Sequence, residues 1–228
     1  MSLNDFVSKE PRALPIFILA DKSGSMVGEK INELNLAMRE MLTSLKNVDD
    51  IRGKFELSVI GFGGNVEIMQ PLTDINQISL QELPANGNTP MGESFQVLAS
   101  MIDDKNVVSS RAYTPTIVLI SDGQPTDFNL NGKNYLDWEP LKNLQNNSRA
   151  AKCQRLAMGI GDDANIDMLK AFVNNPEIPV IKAKDASGIS AFFRWVTMST
   201  ISRMNSVNPN ATVVPPPVFN SDSVEIII

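Results

Sequence analysis

The chain of 228 residues contains no histidine and a single cysteine, Cys153. Lack of imidazole removes the commonest general acid–base group, the Ser-His-Asp arrangement and every zinc site built on histidine. Hydrolysis by the familiar routes is therefore hard to assemble. One cysteine cannot form an intrachain disulfide, and Cys153 sits in an apolar stretch, where it reads as a small buried side chain rather than a reactive thiol. A reducing compartment fits that usage. No run of lysine or arginine stands out, and a formal net charge of -6 with an isoelectric point near 4.8 gives no electrostatic reason to bind a phosphate backbone or an anionic membrane. Nucleic acid and membrane are set aside as partners. Met1 to Arg12 carry Asp5 and Glu10 among short apolar pieces, unlike a signal peptide or a membrane span, so the expected location is the cytoplasm.

What is present is ordinary globular material, 43% hydrophobic and 20% charged, enough for one α/β domain around a buried sheet. The expected organisation is an N-terminal tail over 1–12, one domain over 13–204 and a Pro-containing C-terminal tail over 205–228. Leu14 to Ala20 is a continuous apolar run ending at Asp21, and Thr116 to Ser121 repeats that design ahead of Asp122-Gly123; both suit strands buried on two faces. Between them, Ile31, Leu34, Met38, Met41, Leu42 and Leu45 recur at helical spacing within Gly28 to Asn47. Phe55 to Phe62 and Val66 to Leu72 flank Gly63-Gly64-Asn65, which predicts an antiparallel hairpin. A second helix is expected from Pro90, with Thr89 as its N-cap. Beyond the long polar stretch Gln124 to Glu139, the alternation continues as helix (Leu141 to Ser148), strand (Ala151 to Ile160), helix (Ile166 to Val173), short strand (Ile178 to Ile181) and closing helix (Ile189 to Met204). This is an α/β, Rossmann-like pattern: a central, mostly parallel sheet with one antiparallel edge strand and helices on both faces.

In such sheets ligands gather at the carboxyl ends of the strands, where Asp21 and Asp122 both fall. Asp21-Lys22-Ser23-Gly24-Ser25 places oxygen-bearing side chains at alternate positions on the loop leaving the first strand. Thr89 adds a hydroxyl from a second loop and Asp122 a carboxylate from a third. An oxygen-only set with two carboxylates at most suits magnesium or manganese rather than zinc or copper, and leaves the ion incompletely neutralised.

These residues resemble the von Willebrand factor A family, whose metal-ion-dependent adhesion site has the pattern Asp-x-Ser-x-Ser, a distant Thr and a later Asp commonly followed by Gly. Asp21, Ser23, Ser25, Thr89 and Asp122 match all five ligand positions, and the resemblance extends over about Leu14 to Met204. More narrowly, Leu14-Pro15-Ile16, Gly87-Asn88-Thr89-Pro90-Met91-Gly92 and Ser121-Asp122-Gly123-Gln124-Pro125-Thr126-Asp127 look like stand-alone bacterial A-domain proteins of tellurium-resistance and stress-response clusters. The resemblance implies one bound Mg2+ or Mn2+, a partner Glu or Asp completing its shell, and exchange of Thr89 and Asp122 between direct and water-mediated contact, coupled to the last helix. It further implies an adaptor without turnover, with a kinase and a phosphatase encoded nearby as partners.

Each feature has a plainer reading beside it. Ser23 and Ser25 taken singly are helix caps and Asp21 a turn former. Asp127 reads as a turn residue of the long loop, not a sixth ligand. Gly61, Gly63 and Gly64 lack the Lys-Ser or Lys-Thr of a phosphate loop and are explained by the hairpin. Tyr135 and Trp138 are either packing residues or a partner-contact rim. The rival function is a magnesium-dependent phosphoryl-transfer or hydrolytic enzyme with Asp21 as nucleophile and Lys22 as the only identifiable phosphate-binding lysine. The segment after Asn205, with Pro215-Pro216-Pro217 and a terminal Val224-Glu225-Ile226-Ile227-Ile228, is either a disordered tail, an internal ligand through Asp222, Glu225 or the terminal carboxylate, or a strand that supports self-association by pairing with a sheet edge of a neighbour.

Overall fold

In a computed structural model the chain is described over residues 11–48, 52–129, 134–211, 219 and 222–228. Its centre is the first strand, β1 (Arg12–Asp21), buried from Ala13 onward. That burial explains the unbroken apolar run: β1 has parallel neighbours on both sides, β2 (Gly53–Gly63) and β4 (Thr116–Ser121). Continuing outward, β3 (Asn65–Asp74) pairs antiparallel with β2, while β5 (Gln154–Ile160) and β6 (Val180–Ala183) extend the parallel side. The seven-stranded order is β3-β2-β1-β4-β5-β6-β7, with β7 (Val224–Ile227) antiparallel to β6.

The expected mostly parallel sheet is thus present, and the expected antiparallel edge strand is β3. A second antiparallel strand, β7, closes the opposite edge from within the segment read from sequence as a tail. The Ser223 carbonyl accepts from Lys184 N at 2.9 Å, and Lys170 Nζ donates to the Ile228 carbonyl at 2.7 Å, so the strand is tied down at both ends. Pro215-Pro216-Pro217 and residues 1–10 lie outside the described residues.

Helices α1 (Glu29–Lys46) and α5 (Ala186–Asn205) pack on each other, and α2 (Met91–Asp103) packs on α3 (Glu139–Asn146); α4 (Ile166–Val173) joins the second group through stacking of Phe95 on Phe172, ring centroids 5.4 Å apart. The helices bury the stripes that their spacing marks out, Leu34, Met38, Met41 and Leu45 on α1 among them. Two local expectations change. Thr89 is not the N-cap of α2: the helix begins at Met91 with Pro90 ahead of it, and Asp127 Oδ2 instead accepts from Glu93 N at 3.0 Å. Asp127 therefore serves another element's first turn, where orphan N–H groups and the helix dipole favour a carboxylate.

Tyr135 and Trp138 are buried packing residues, not a rim. Trp138 meets Phe95 and Phe128 at centroid distances of 5.6 and 5.1 Å, and the Tyr135 hydroxyl is bonded to Gln124 and Asn165. Cys153 is buried as expected. Among the described residues no helix is long and apolar enough to cross a membrane.

Candidate metal centre

The sheet order reverses at β1: the chain first adds β2 and β3 on one side of it and then crosses over to add β4 on the other, so the connections leaving β1 and β4 diverge and open a crevice at their carboxyl ends. Asp21 is the last residue of β1 and Asp122 follows β4. Both are fully buried, and Ser23 is too, whereas Ser25 is exposed. The cluster therefore has a sealed floor and one open side.

Asp21 is held at both oxygens: Oδ1 accepts from Ser23 N at 2.8 Å and Oδ2 from the Ser121 hydroxyl at 2.6 Å. From there the oxygens run on in sequence, Ser23 Oγ lying 3.0 Å from Ser25 Oγ, and Ser25 Oγ donating to Asp122 Oδ1 at 2.7 Å. The other carboxylate oxygen of Asp122 meets Lys30 Nζ at 2.5 Å. Burial pushes the Asp21 carboxyl above its ordinary value; the bonds from Ser121 and Ser23 oppose this, and the neighbouring Asp122 charge adds to it.

Three loops are stitched together beneath this chain of oxygens. Lys22 N donates to Phe62 O, Asn86 N to Lys22 O, Gly24 N to Gly87 O and Gly64 N to Asn88 O, all between 2.8 and 2.9 Å. Such close backbone approach requires glycine. A Cβ on Gly63 would stand 2.1 Å from Lys22 O, and one on Gly87, whose φ is +72°, would stand 2.4 Å from the Gly64 Cα. Gly63 and Gly64 thus form the expected hairpin and also carry the site loop. Thr89, itself buried, enters through its backbone: its N–H donates to Thr126 Oγ1 at 3.0 Å and its carbonyl accepts from Thr126 N at 2.9 Å, which fixes it to the Asp122 loop.

Of the five residues read from sequence, Ser23, Ser25 and Asp122 are joined through their side chains and Asp21 accepts from the Ser23 backbone N–H, whereas Thr89 is bonded through its backbone to Thr126 on the Asp122 loop. Lys22 is turned away. Its Nζ donates to Gly63 O at 2.9 Å and lies 3.4 Å from Glu67 Oε2 on β3, so it pins the hairpin rather than lining the crevice. Two participants were not singled out from sequence, Ser121 and Lys30. A serine at a fully buried strand position was the available signal for the first. For the second it was a lysine in the first turn of α1, where the helix dipole disfavours positive charge.

Residues 16–124 match the family model described as the von Willebrand factor type A domain. Among curated proteins, inter-alpha-trypsin inhibitor heavy chain H2 of Sus scrofa is 24% identical over 220 residues, covering 90% of this chain but 22% of that protein. The chain thus spans about a fifth of the length of this relative. Among solved structures, a von Willebrand factor type A protein from Catenulispora acidiphila superposes with a TM-score of 0.64 at 17% identity, covering 84% of this chain and 43% of that one. Proximal thread matrix protein 1 of the mussel byssus, with zinc in its metal-ion-dependent adhesion motif, gives 0.62 at 16% identity, covering 83% and 48%. Manganese-loaded TRAP of Plasmodium vivax gives 0.54 at 18% identity, covering 78% and 71%. The chain thus shares the fold of von Willebrand factor A domains, and the neighbours include proteins that carry a divalent metal.

Proposed function

We propose that this chain is a metal-dependent protein-interaction module in which Asp21, Ser23, Ser25, Thr89 and Asp122 hold one divalent cation, Mg2+ or Mn2+, for a Glu or Asp of a partner. The observation that carries this reading is the hydrogen-bonded run from Asp21, through the Ser23 N–H and the Ser23 and Ser25 hydroxyls, to Asp122, drawn from two loops and open at Ser25. The donors fit a hard cation. They are carboxylate and hydroxyl oxygens only, and two carboxylates at most balance the charge of the ion while neutral hydroxyls and water fill the rest of its six-coordinate shell, which leaves a position for a foreign carboxylate. Among the described residues no group of three or more His, Cys, Asp or Glu gathers, so the proposed centre relies on hydroxyls beside its two carboxylates.

A magnesium-dependent phosphoryl-transfer enzyme is the weaker reading. Both Asp21 oxygens are engaged as acceptors, and Lys22, its nearest ammonium in sequence, is bonded to the hairpin instead. The finer assignment is an adaptor in a bacterial tellurite or stress-response system, cytoplasmic, with a kinase and a phosphatase of the same cluster as partners. It rests on the stretches around Leu14, Thr89 and Asp122 quoted above.

Calorimetric titration of the chelator-treated chain with MnCl2 or MgCl2 tests the core of the proposal. One site is expected in the wild type and none in Asp21→Ala, and a native-lysate partner should be retained only by the metal-loaded wild type. Absence of ion uptake by the folded wild type overturns the reading, as does phosphatase or ATPase turnover that Asp21→Ala abolishes.

A further inference from the structure

Lys30 occupies an unusual place. It lies in the first turn of α1, where the unpaired N–H groups already carry positive charge, so an ammonium there is disfavoured unless an anion draws it away. The anion is Asp122: Lys30 Nζ sits 2.5 Å from Oδ2, and the carboxylate is fully buried while the lysine side chain remains 36% exposed. One member of the pair is thus locked in the crevice floor, and the other reaches it from the solvent side on a flexible four-carbon stem. With Oδ1 bonded to Ser25 Oγ, Lys30 supplies the positive charge facing the second oxygen of a buried carboxylate.

We propose that Lys30 is a displaceable internal counter-ion that competes with the divalent cation for Asp122. This rests on the metal reading above and adds a regulatory residue to it. A buried carboxylate without a cation costs free energy, and Lys30 offsets that cost when no metal is bound. Binding of a divalent ion makes the ammonium redundant and electrostatically unfavourable beside it, so Lys30 swings out to solvent at the rim where an acidic partner docks. The consequence is a site whose affinity is held down by its own protein, with cation uptake coupled to release of a lysine.

The test is Mn2+ calorimetry on the full chain as wild type, Lys30→Met and Lys30→Arg, with a urea melt confirming that each folds. Lys30→Met should bind Mn2+ about tenfold more tightly than wild type, since one close charge pair no longer has to be broken. Lys30→Arg, which keeps the charge, should stay near the wild-type value. A second readout follows the lysine directly: amine-reactive labelling of Lys30, read by peptide mass spectrometry, should rise when Mn2+ replaces chelator. Binding by Lys30→Met alone would support the inference in its strongest form. Equal affinity in all three proteins, or weaker binding by Lys30→Met, overturns it while leaving the metal site standing. No uptake by any of the folded proteins overturns both.

Discussion

Ser121 donates its hydroxyl hydrogen to Asp21 Oδ2 at 2.6 Å, joining the ends of β1 and β4 across one hundred residues of sequence. The bond fixes a carboxylate that burial would rather keep neutral, and it explains how a charged group is tolerated at the floor of the crevice. A buried acid that is destabilising by itself is a common mark of a functional site, and the proposed cation would supply the missing charge.

That tension gives the first prediction. With its carboxyl raised above the ordinary value, Asp21 favours the protonated form in the fold, so its ionisation weakens the folded state as pH rises through that raised value. Asn at this position retains an acceptor for Ser23 N and offers Ser121 Oγ a donor in return. In chelator at pH 7, Asp21→Asn should therefore show a higher urea midpoint than wild type. Excess Mn2+ should reverse the order, because only the wild type gains stability from bound ion. A lower midpoint for the variant in chelator would refute the account.

Cys153 gives the second. Burial pushes its thiol from 9.0 up to about 12, against the opposing charges of Arg155, Arg203 and Arg149. The thiolate is the reactive form, so its fraction at pH 8 falls on the order of a thousandfold. Labelling by a chromogenic disulfide reagent should be slow in the native chain and fast in urea. Labelling of the native chain at the unfolded rate would show the thiol to be open.

The third concerns β7. Its pairing with β6 covers a sheet edge, buries Val224, and places Ser223 against the start of α5, where a Cβ on Gly188 would stand 2.4 Å from the Ser223 carbonyl. Deleting residues 222–228 should cost about 2 kcal/mol through Val224 alone. It should also bare the β6 edge, giving concentration-dependent association by light scattering. An unchanged urea midpoint and a monomer at all concentrations would mean that β7 adds nothing to the domain.

From sequence the terminal residues read as a disordered tail or as a segment meeting a neighbour's sheet edge, and in the structure Val224–Ile227 instead pair with β6 of their own sheet. Whether Ile226 and its neighbours meet another chain or their own sheet depends on where β6 ends up, and hydrophobicity along the tail carries no information about that. The same holds for Trp138, whose burial depends on the converging rings of Phe95 and Phe128.

The order of strands and helices is legible along the chain, because apolar runs and helical spacing record which faces each segment buries. The sequence by itself also carries the oxygen donors proposed for a cation, because Asp-x-Ser-x-Ser, Thr89 and Asp122 are legible as a pattern along the chain. Which charges meet is settled by packing alone. Lys22 turns to Gly63 and Lys30 to Asp122, Asp127 caps a helix far from it in sequence, and Ser121 anchors Asp21. Each of these depends on through-space distances of a few ångströms between segments that tens of residues separate, and no local pattern encodes them.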